Sequence, residues 1–259
     1  NDGRLALGEA VNLTVTLSEA VNVVTTGGTP TLALANGGTA TYTGGTGTST
    51  LTFSYTPATG QDTADLATAA TSALSSNGGT IKDLAGNAIV ASGFNNVNPA
   101  GVLPVDTVAP NAPTLAEQGS TKLADSYLNA TEAGTTTTFR ATLPGAGSLA
   151  VVGDSVELLQ NGSSFGTAKT VTLSSTNLAN GYVDFTVAKA DLGSDGAKAL
   201  TAKITDIAGN ASTASAAVSF TLDTNAVAGT LSLQNYSDMG SSSSDFISSD
   251  KAFDLSLAG

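Results

Sequence analysis

Apolar residues recur at every second position along most of the chain. Val11, Leu13, Val15 and Leu17 alternate with Asn12, Thr14 and Thr16, and Leu51, Phe53 and Tyr55 alternate with Thr52 and Ser54. The same rhythm runs through Val183, Phe185 and Val187, through Leu200, Ala202 and Ile204, and through Val218, Phe220 and Leu222. A period of two places one side-chain set on a core and the other in water, which predicts half-buried antiparallel strands. Thr and Val suit that pleated surface, and Gly-Gly, Asn-Gly and Gly-Asn pairs between the runs are turn signals. One Ala-rich stretch, Thr63–Leu74, breaks the rhythm without a clean helical stripe, and it predicts a connection with one helical turn.

Two motifs return at a long interval. Ile81-Lys82-Asp83-Leu84-Ala85-Gly86-Asn87-Ala88 recurs 123 residues later as Ile204-Thr205-Asp206-Ile207-Ala208-Gly209-Asn210-Ala211. Val105-Asp106-Thr107 recurs as Leu222-Asp223-Thr224, and the pair Asp2 and Glu9 returns as Asp125 and Glu132, with a weaker echo in Asp245 and Asp250. A period of about 120 residues is that of a whole β-sandwich, not of a solenoid repeat. Residues 1–105 and 106–224 are therefore expected to be two sandwiches, joined through the proline-stiffened Asp106–Pro113. Residues 225–259, with strand patterns at Thr230–Leu233 and Ala252–Leu257, would be the N-terminal fragment of a third, since two strands cannot bury a core. Asn1 follows no initiator Met or leader, and the first strand of the first unit is expected to precede it.

About seven strands in each 100–120 residues is the pattern of an immunoglobulin-like sandwich, here without its Cys and Trp marks. In the second unit the strands are expected at Thr114–Glu117 (A), Thr137–Leu143 (B), Ser155–Leu159 (C), Ala168–Leu173 (C′), Tyr182–Ala188 (E), Ala199–Thr205 (F) and Thr213–Leu222 (G). Phe139, Val156, Phe185, Ile204 and Phe220 should share one core. The fold class is thus all-β: tandem immunoglobulin-like antiparallel sandwiches.

Composition removes whole classes of function. The 259 residues contain no Cys, no His and no Trp. Disulfides, thiol catalysis, imidazole acid–base chemistry and His- or Cys-ligated metals are excluded. Acids outnumber bases 21 to 9, for a net charge of −12, a surface that repels nucleic acid and anionic lipid and attracts cations. No apolar run reaches the ~18 residues of a membrane-spanning helix. Gly162-Ser163-Ser164-Phe165-Gly166 matches the nucleophile-elbow pattern but lies between strands in a chain without a histidine base, so it reads as a hairpin loop. Paired carboxylates could run glycoside hydrolysis, yet aromatic residues for a sugar groove are few. The chain is not read as an enzyme.

The linker Val105-Asp106-Thr107-Val108-Ala109-Pro110, the two Asp-x-Ala-Gly-Asn turns and Leu222-Asp223-Thr224 resemble the tandem immunoglobulin-like repeats of giant secreted bacterial adhesins. These are the RTX-type, Bap-like surface proteins exported by type I secretion. Leu17-Ser18-Glu19-Ala20-Val21 with Gly60-Gln61-Asp62-Thr63-Ala64-Asp65-Leu66 resembles one sandwich subtype of such arrays. Asp238-Met239-Gly240 through Asp245-Phe246-Ile247-Ser248 resembles the opening of another. The resemblance covers nearly the whole chain. It implies extender modules, placed on the bacterial cell surface, that project a ligand-binding region and serve in cell adhesion or biofilm formation. It also implies calcium that stiffens the junctions and, as partners, neighbouring repeats of the same chain. The chain lacks the nine-residue Gly-Gly-x-Gly-x-Asp calcium repeat, and under the resemblance it would then be expected to come from the interior of such an array.

The carboxylates carry the candidate chemistry. In an immunoglobulin topology the A–B loop, the E–F loop and the exit strand share one pole. That pole collects Asp125, Glu132, Asp191, Asp195 and Asp223 in the second unit, and Asp2, Glu9, Asp62, Asp65 and Asp106 in the first. Asp206, in the F–G turn of the following unit, would face Asp106; Asp245 would be the third unit's counterpart of Asp2 and Asp125. Oxygen-only sites of this kind suit calcium, which takes 6–8 such ligands. The competing reading is that these side chains close Asx-turns and solubilise loops, and for Asp83 and Asp206 the hairpin-turn role comes first. Two other functions fit the same sandwiches: a module that binds sugar or protein through its loops, with Tyr42 and Tyr182 as candidate contacts, and an accessory domain of a secreted multidomain enzyme.

Overall fold

The computed structural model describes residues 3–119, 121–145, 149–234 and 254–258. The alternating runs form strands, and their inward residues form two separate cores. The first unit contains β1 (Val11–Val24), β2 (Thr31–Ala33), β3 (Thr39–Gly44), β4 (Thr48–Tyr55), β5 (Leu74–Ser75) and β6 (Thr80–Asp83). They hydrogen-bond in the order β5-β2-β3-β4-β1-β6. The long β1 links two parts of this sheet: Val11–Thr16 pairs with β4, the register breaks between Thr16 and Val21, and Val21–Val24 pairs with β6. The break bends the sheet around Leu32, Leu51, Phe53, Tyr55 and Ile81, all buried. Leu5 and Val105 close the core with a parallel bridge.

The expected helical turn in Thr63–Leu74 does not form. The segment runs beside other backbone instead: Ala35 N–H donates to Ala67 C=O at 2.8 Å, Ala69 N–H to Ala33 C=O at 2.9 Å, and Leu66 N–H to Leu103 C=O at 2.9 Å. Alanine's helix preference is a weak prior that tertiary pairing overrides. A short 3-10 turn lies at Ala91–Phe94 instead.

The second unit has two sheets. One is β12 (Tyr182–Val187), β9 (Thr137–Thr142) and β7 (Thr114–Gln118), in that order. The other runs β11 (Ser163–Thr172), β10 (Ser155–Gln160), β13 (Gly196–Thr205), β14 (Val218–Asp223) and β8 (Tyr127–Asn129). Between them Phe139, Val156, Phe185, Ile204 and Phe220 share one buried cluster, and Phe139 stacks on Phe220 with ring centroids 6.4 Å apart. The strand expected from Thr213 begins five residues later, at Val218, and two further departures from the expected strands have local causes. β8 pairs parallel with β14; at three residues it is too short to show alternation. β11 begins five residues earlier than expected, because Asn161 and Gly162 both take positive φ (52° and 79°) and close a tight hairpin with β10. The Gly-x-Ser-x-Gly match therefore starts in a hairpin turn.

Among the described residues three short helices cross the loops of this unit: α1 (Ala130–Ala133), α2 (Ser175–Asn180) and α3 (Lys189–Leu192). α1 carries a capping box, in which Asn129 accepts from Thr131 and Glu132 N–H while Glu132 reaches back to Asn129 N–H. Beyond the second unit, β15 (Thr230–Gln234) and β16 (Asp254–Ala258) form an antiparallel ribbon. The chain is all-β, in tandem immunoglobulin-like sandwiches.

Candidate functional site

The repeated motifs meet where one unit hands over to the next. In both Asp-x-Ala-Gly-Asn turns the aspartate closes the loop on the asparagine. Asp83 accepts Asn87 N–H and Nδ2–H, both at 2.7 Å, and Asp206 accepts Asn210 N–H and Nδ2–H, both at 2.8 Å. Gly86 and Gly209 hold φ of 94° and 102°, a region that a side chain resists. The two turns then diverge. Asn87 is exposed. Asn210 is 8% exposed, because it lies against the first unit: its Nδ2 donates to Asp106 C=O at 2.9 Å and its Oδ1 accepts Leu7 N–H at 3.0 Å. One carboxamide thus joins the F–G turn of the second unit to Leu7 of the first and to the linker carbonyl of Asp106.

The Asp-Thr exits are built alike. Asp62 Oδ1 accepts Thr107 N–H at 2.6 Å and the Thr107 hydroxyl at 2.7 Å. Asp195 accepts Thr224 N–H at 2.8 Å and the Thr224 hydroxyl at 2.9 Å, and also Asn225 Nδ2–H at 2.8 Å. Asp106 and Asp223 each close an Asx-turn on the residue two further along, Val108 and Asn225. The bonds from Thr224 hold the Asp195 carboxyl below its ordinary pKa, since they favour the charged form. These exits fix the direction in which the chain leaves each sandwich.

Asp106 and Asp206 share a cavity of about 190 Å³ with Arg4, Val108, Ile207 and Asp154. Asp154 is fully buried and accepts Val151 N–H at 2.8 Å and Ile207 N–H at 3.2 Å. Desolvation raises its pKa, and the nearby charges of Asp206 and Asp106 push it the same way.

The other expected ligands have local work. Asp65 accepts Leu103 N–H at 3.0 Å and Asn98 Nδ2–H at 2.8 Å, which lowers its pKa, with the Asn98 bond the larger cause. Asp125 closes an Asx-turn on Tyr127 N–H, and Glu132 caps α1. The oxygens of that A–B loop already surround a cation of the chain: Lys122 Nζ donates to the Thr135 hydroxyl at 2.6 Å, Thr136 C=O at 2.9 Å and Glu132 C=O at 3.2 Å. Asp2 and Asp245 lie outside the described residues.

Among the described residues no group of three acidic side chains converges closely enough to hold a metal ion. The chemistry of the Asp106–Asp154–Asp206 set, oxygen donors with one carboxylate buried against its preference, is of the kind calcium takes. Sequence reasoning missed Asp154, whose position immediately before β10 carries no motif. It also read Asn210 as a turn residue only. The threonines were signalled by the repeated Asp-Thr pair, without a hint that the exits close through hydroxyls.

No protein-family model matches the chain, and a search of curated proteins finds no match. Among solved structures it is similar to a Ca2+-stabilized adhesin that helps an Antarctic bacterium reach out and bind ice. The identity is 26% over 90% of this chain, with a TM-score of 0.39, and the chain spans about half, 49%, of that one. A bacterial immunoglobulin-like domain from the M. primoryensis ice-binding adhesin is 27% identical over 45% of this chain and all of its own, at a TM-score of 0.28. Fibronectin(III)-like modules of Clostridium thermocellum CbhA match 85% of this chain and 88% of their own, at 14% identity and a TM-score of 0.34. With TM-scores of 0.39 and below, the functional reading rests on the chain's own groups.

Proposed function

We propose that this chain is a structural extender of a bacterial cell-surface adhesin. Residues 1–105 and 106–224 are successive immunoglobulin-like modules, and 225–259 begin a third. Neighbouring repeats of the same chain are their partners, and the array serves cell adhesion or biofilm formation outside the cell. The observation that carries this reading is the Asn210 bridge to Asp106 and Leu7. It ties a turn of one module to the exit of the module before it, and the Asp62–Thr107 and Asp195–Thr224 pairs repeat the same exit at both ends of the second module. A binding loop has no need of such repetition, whereas a rod needs each joint set at a fixed angle.

Calcium belongs to this reading as a stiffener of the joint. Asp106, Asp154 and Asp206 are the acids nearest the joint; they would have to draw together to ligate it, and its charge would relieve the burial of Asp154 and the repulsion among the three. Small-angle scattering and thermal melting, with millimolar calcium and with chelator, test this on the wild type and on Asp106→Ala. Calcium should extend and stiffen the wild type and raise its melting temperature through mass action. Magnesium should do less, because it dehydrates reluctantly. The Asp106→Ala chain should lose that response without unfolding. Curves that coincide with and without calcium would leave the joint held by its hydrogen bonds and prolines alone.

A further inference from the structure

Four Asn-Gly pairs punctuate the chain, at Asn36, Asn77, Asn161 and Asn180. In such a pair the glycine nitrogen has no side chain beside it to keep the preceding carboxamide away. Three of the pairs are held by bonds to the groups that would have to move. Asn36 gives Nδ2–H to the Tyr55 hydroxyl at 2.9 Å and to Gln61 C=O at 2.7 Å, and Gly37 N–H donates to Leu34 C=O at 3.1 Å. Gly181 N–H, after Asn180, donates to Asn177 C=O at 2.8 Å and closes α2. Asn161 Oδ1 accepts Ala199 N–H at 2.9 Å, in a hairpin whose strands β10 and β11 stay paired up to Gln160 and Ser163.

Asn77 is placed differently. It is exposed, and with Gly78 it fills the two central positions of a turn, at φ of 49° and 85°. Gly79 N–H closes that turn on Ser76 C=O at 2.8 Å. Among the described residues Gly78 N–H makes no hydrogen bond, and the Asn77 carboxamide makes one exposed bond, from Nδ2–H to Thr29 C=O at 3.2 Å. The strands on either side do not pair with each other: β5, two residues long, bonds to β2, and β6 bonds to β1. A connection with so few bonds opens locally at low cost. Its backbone is nevertheless closely seated, since a Cβ placed on Gly27 or Gly28 would run into the carbonyl oxygens of Gly78 and Asn77.

We propose that Asn77 is a site of spontaneous modification, at which loss of ammonia and attack by water convert asparagine to aspartate and isoaspartate and so loosen the first sandwich. Gly78 N attacks Asn77 Cγ when the turn opens. The N–Cγ bond forms, the Cγ–Nδ2 bond breaks, and the Gly78 proton leaves with the amide as ammonia. Water then opens the five-membered imide at either carbonyl, and nothing is oxidised or reduced. Breaking the bond to Cγ gives aspartate. Breaking the bond to the main-chain carbonyl gives isoaspartate, in which the chain runs through Cβ and Cγ and is longer by a methylene. The seat against Gly27 and Gly28 has no room for that methylene. The turn must lift, and it pulls on Leu74 and Ile81 at its two ends, 7% and 3% exposed in the first core.

The test ages the 259-residue chain in mildly alkaline buffer and follows it by peptide mass mapping and by labelling with an isoaspartyl methyltransferase. Asn77 should convert at least about tenfold faster than Asn36, Asn161 and Asn180. Asn77→Gly keeps a residue that accepts positive φ and should gain no isoaspartate in this turn. On ageing, amide exchange at Thr80–Asp83 should speed up about tenfold in the wild type, with Thr137–Thr142 unchanged. Fresh Asn77→Asp adds the charge without lengthening the chain and should exchange as the fresh wild type does. Conversion of any other Asn-Gly pair at the rate of Asn77 would overturn the proposal. So would an aged wild type whose exchange at Thr80–Asp83 matches that of fresh Asn77→Asp.

Discussion

Asn210 and Asn87 form a built-in pair for measuring what the joint contributes. Each makes the same two bonds to the aspartate four residues before it. Only Asn210 adds two bonds at the joint, to Asp106 C=O at the start of the linker and from Leu7 N–H of the preceding unit. Replacing either by Ala removes one side-chain bond within the turn, and Asn210→Ala also breaks the two that cross the joint. A net hydrogen bond contributes about 0.5–1.5 kcal/mol, and a buried partner left unpaired raises the cost. The excess cost of Asn210→Ala over Asn87→Ala is therefore about 1–3 kcal/mol, a coupling of about 5–150-fold between units. Denaturant unfolding with probes in each core reads it. The wild-type units should stabilise one another, Asn87→Ala should keep that coupling, and Asn210→Ala should weaken it while residual dipolar couplings show a wider spread of angles. Equal losses from the two substitutions, or an unchanged angular distribution in Asn210→Ala, would refute the assignment of Asn210 as the bridge.

Acid should act on two aspartates with opposite sign. The pKa of Asp195 is depressed by its bonds from Thr224, so its contribution is present above the ordinary value of 3.8 and is lost as pH falls through the depressed one; Asp195→Asn should flatten the acid limb of the second unit's melting curve. The pKa of Asp154 is raised, so its burial penalty is full above the folded value and fades as pH falls towards 3.8, which should firm the joint in mild acid. Phe139→Ala removes a side chain 1% exposed and should cost the second unit about 3–5 kcal/mol. Because the two cores share no residue, the first unit should lose no more than the coupling across the joint, as two-wavelength melting can check.

The alternation of apolar and polar residues determined the strands. With Val and Thr at a period of two, no other regular element buries Val183, Phe185 and Val187 together, and all three lie in one core. The long-interval recurrence of Ile-x-Asp-x-Ala-Gly-Asn and of Asp-Thr determined that two related units follow one another, because local turn chemistry is written in contiguous residues. Tertiary structure decided the rest. Residues 63–69 form no helical turn because they hydrogen-bond to other backbone on both sides, which alanine content does not reveal. Asn87 and Asn210 have the same neighbours in sequence, yet only Asn210 meets another unit. Asp125 and Glu132 matched the pattern of a cation site, but Lys122, distant in neither sequence nor space, already fills the oxygen cage beside them. Asp154 carries no motif and is nevertheless the most buried carboxylate at the joint. A side chain's charge and hydrogen-bonding capacity are fixed by its identity, whereas its partners and its distance from water are set by which strands pack around it.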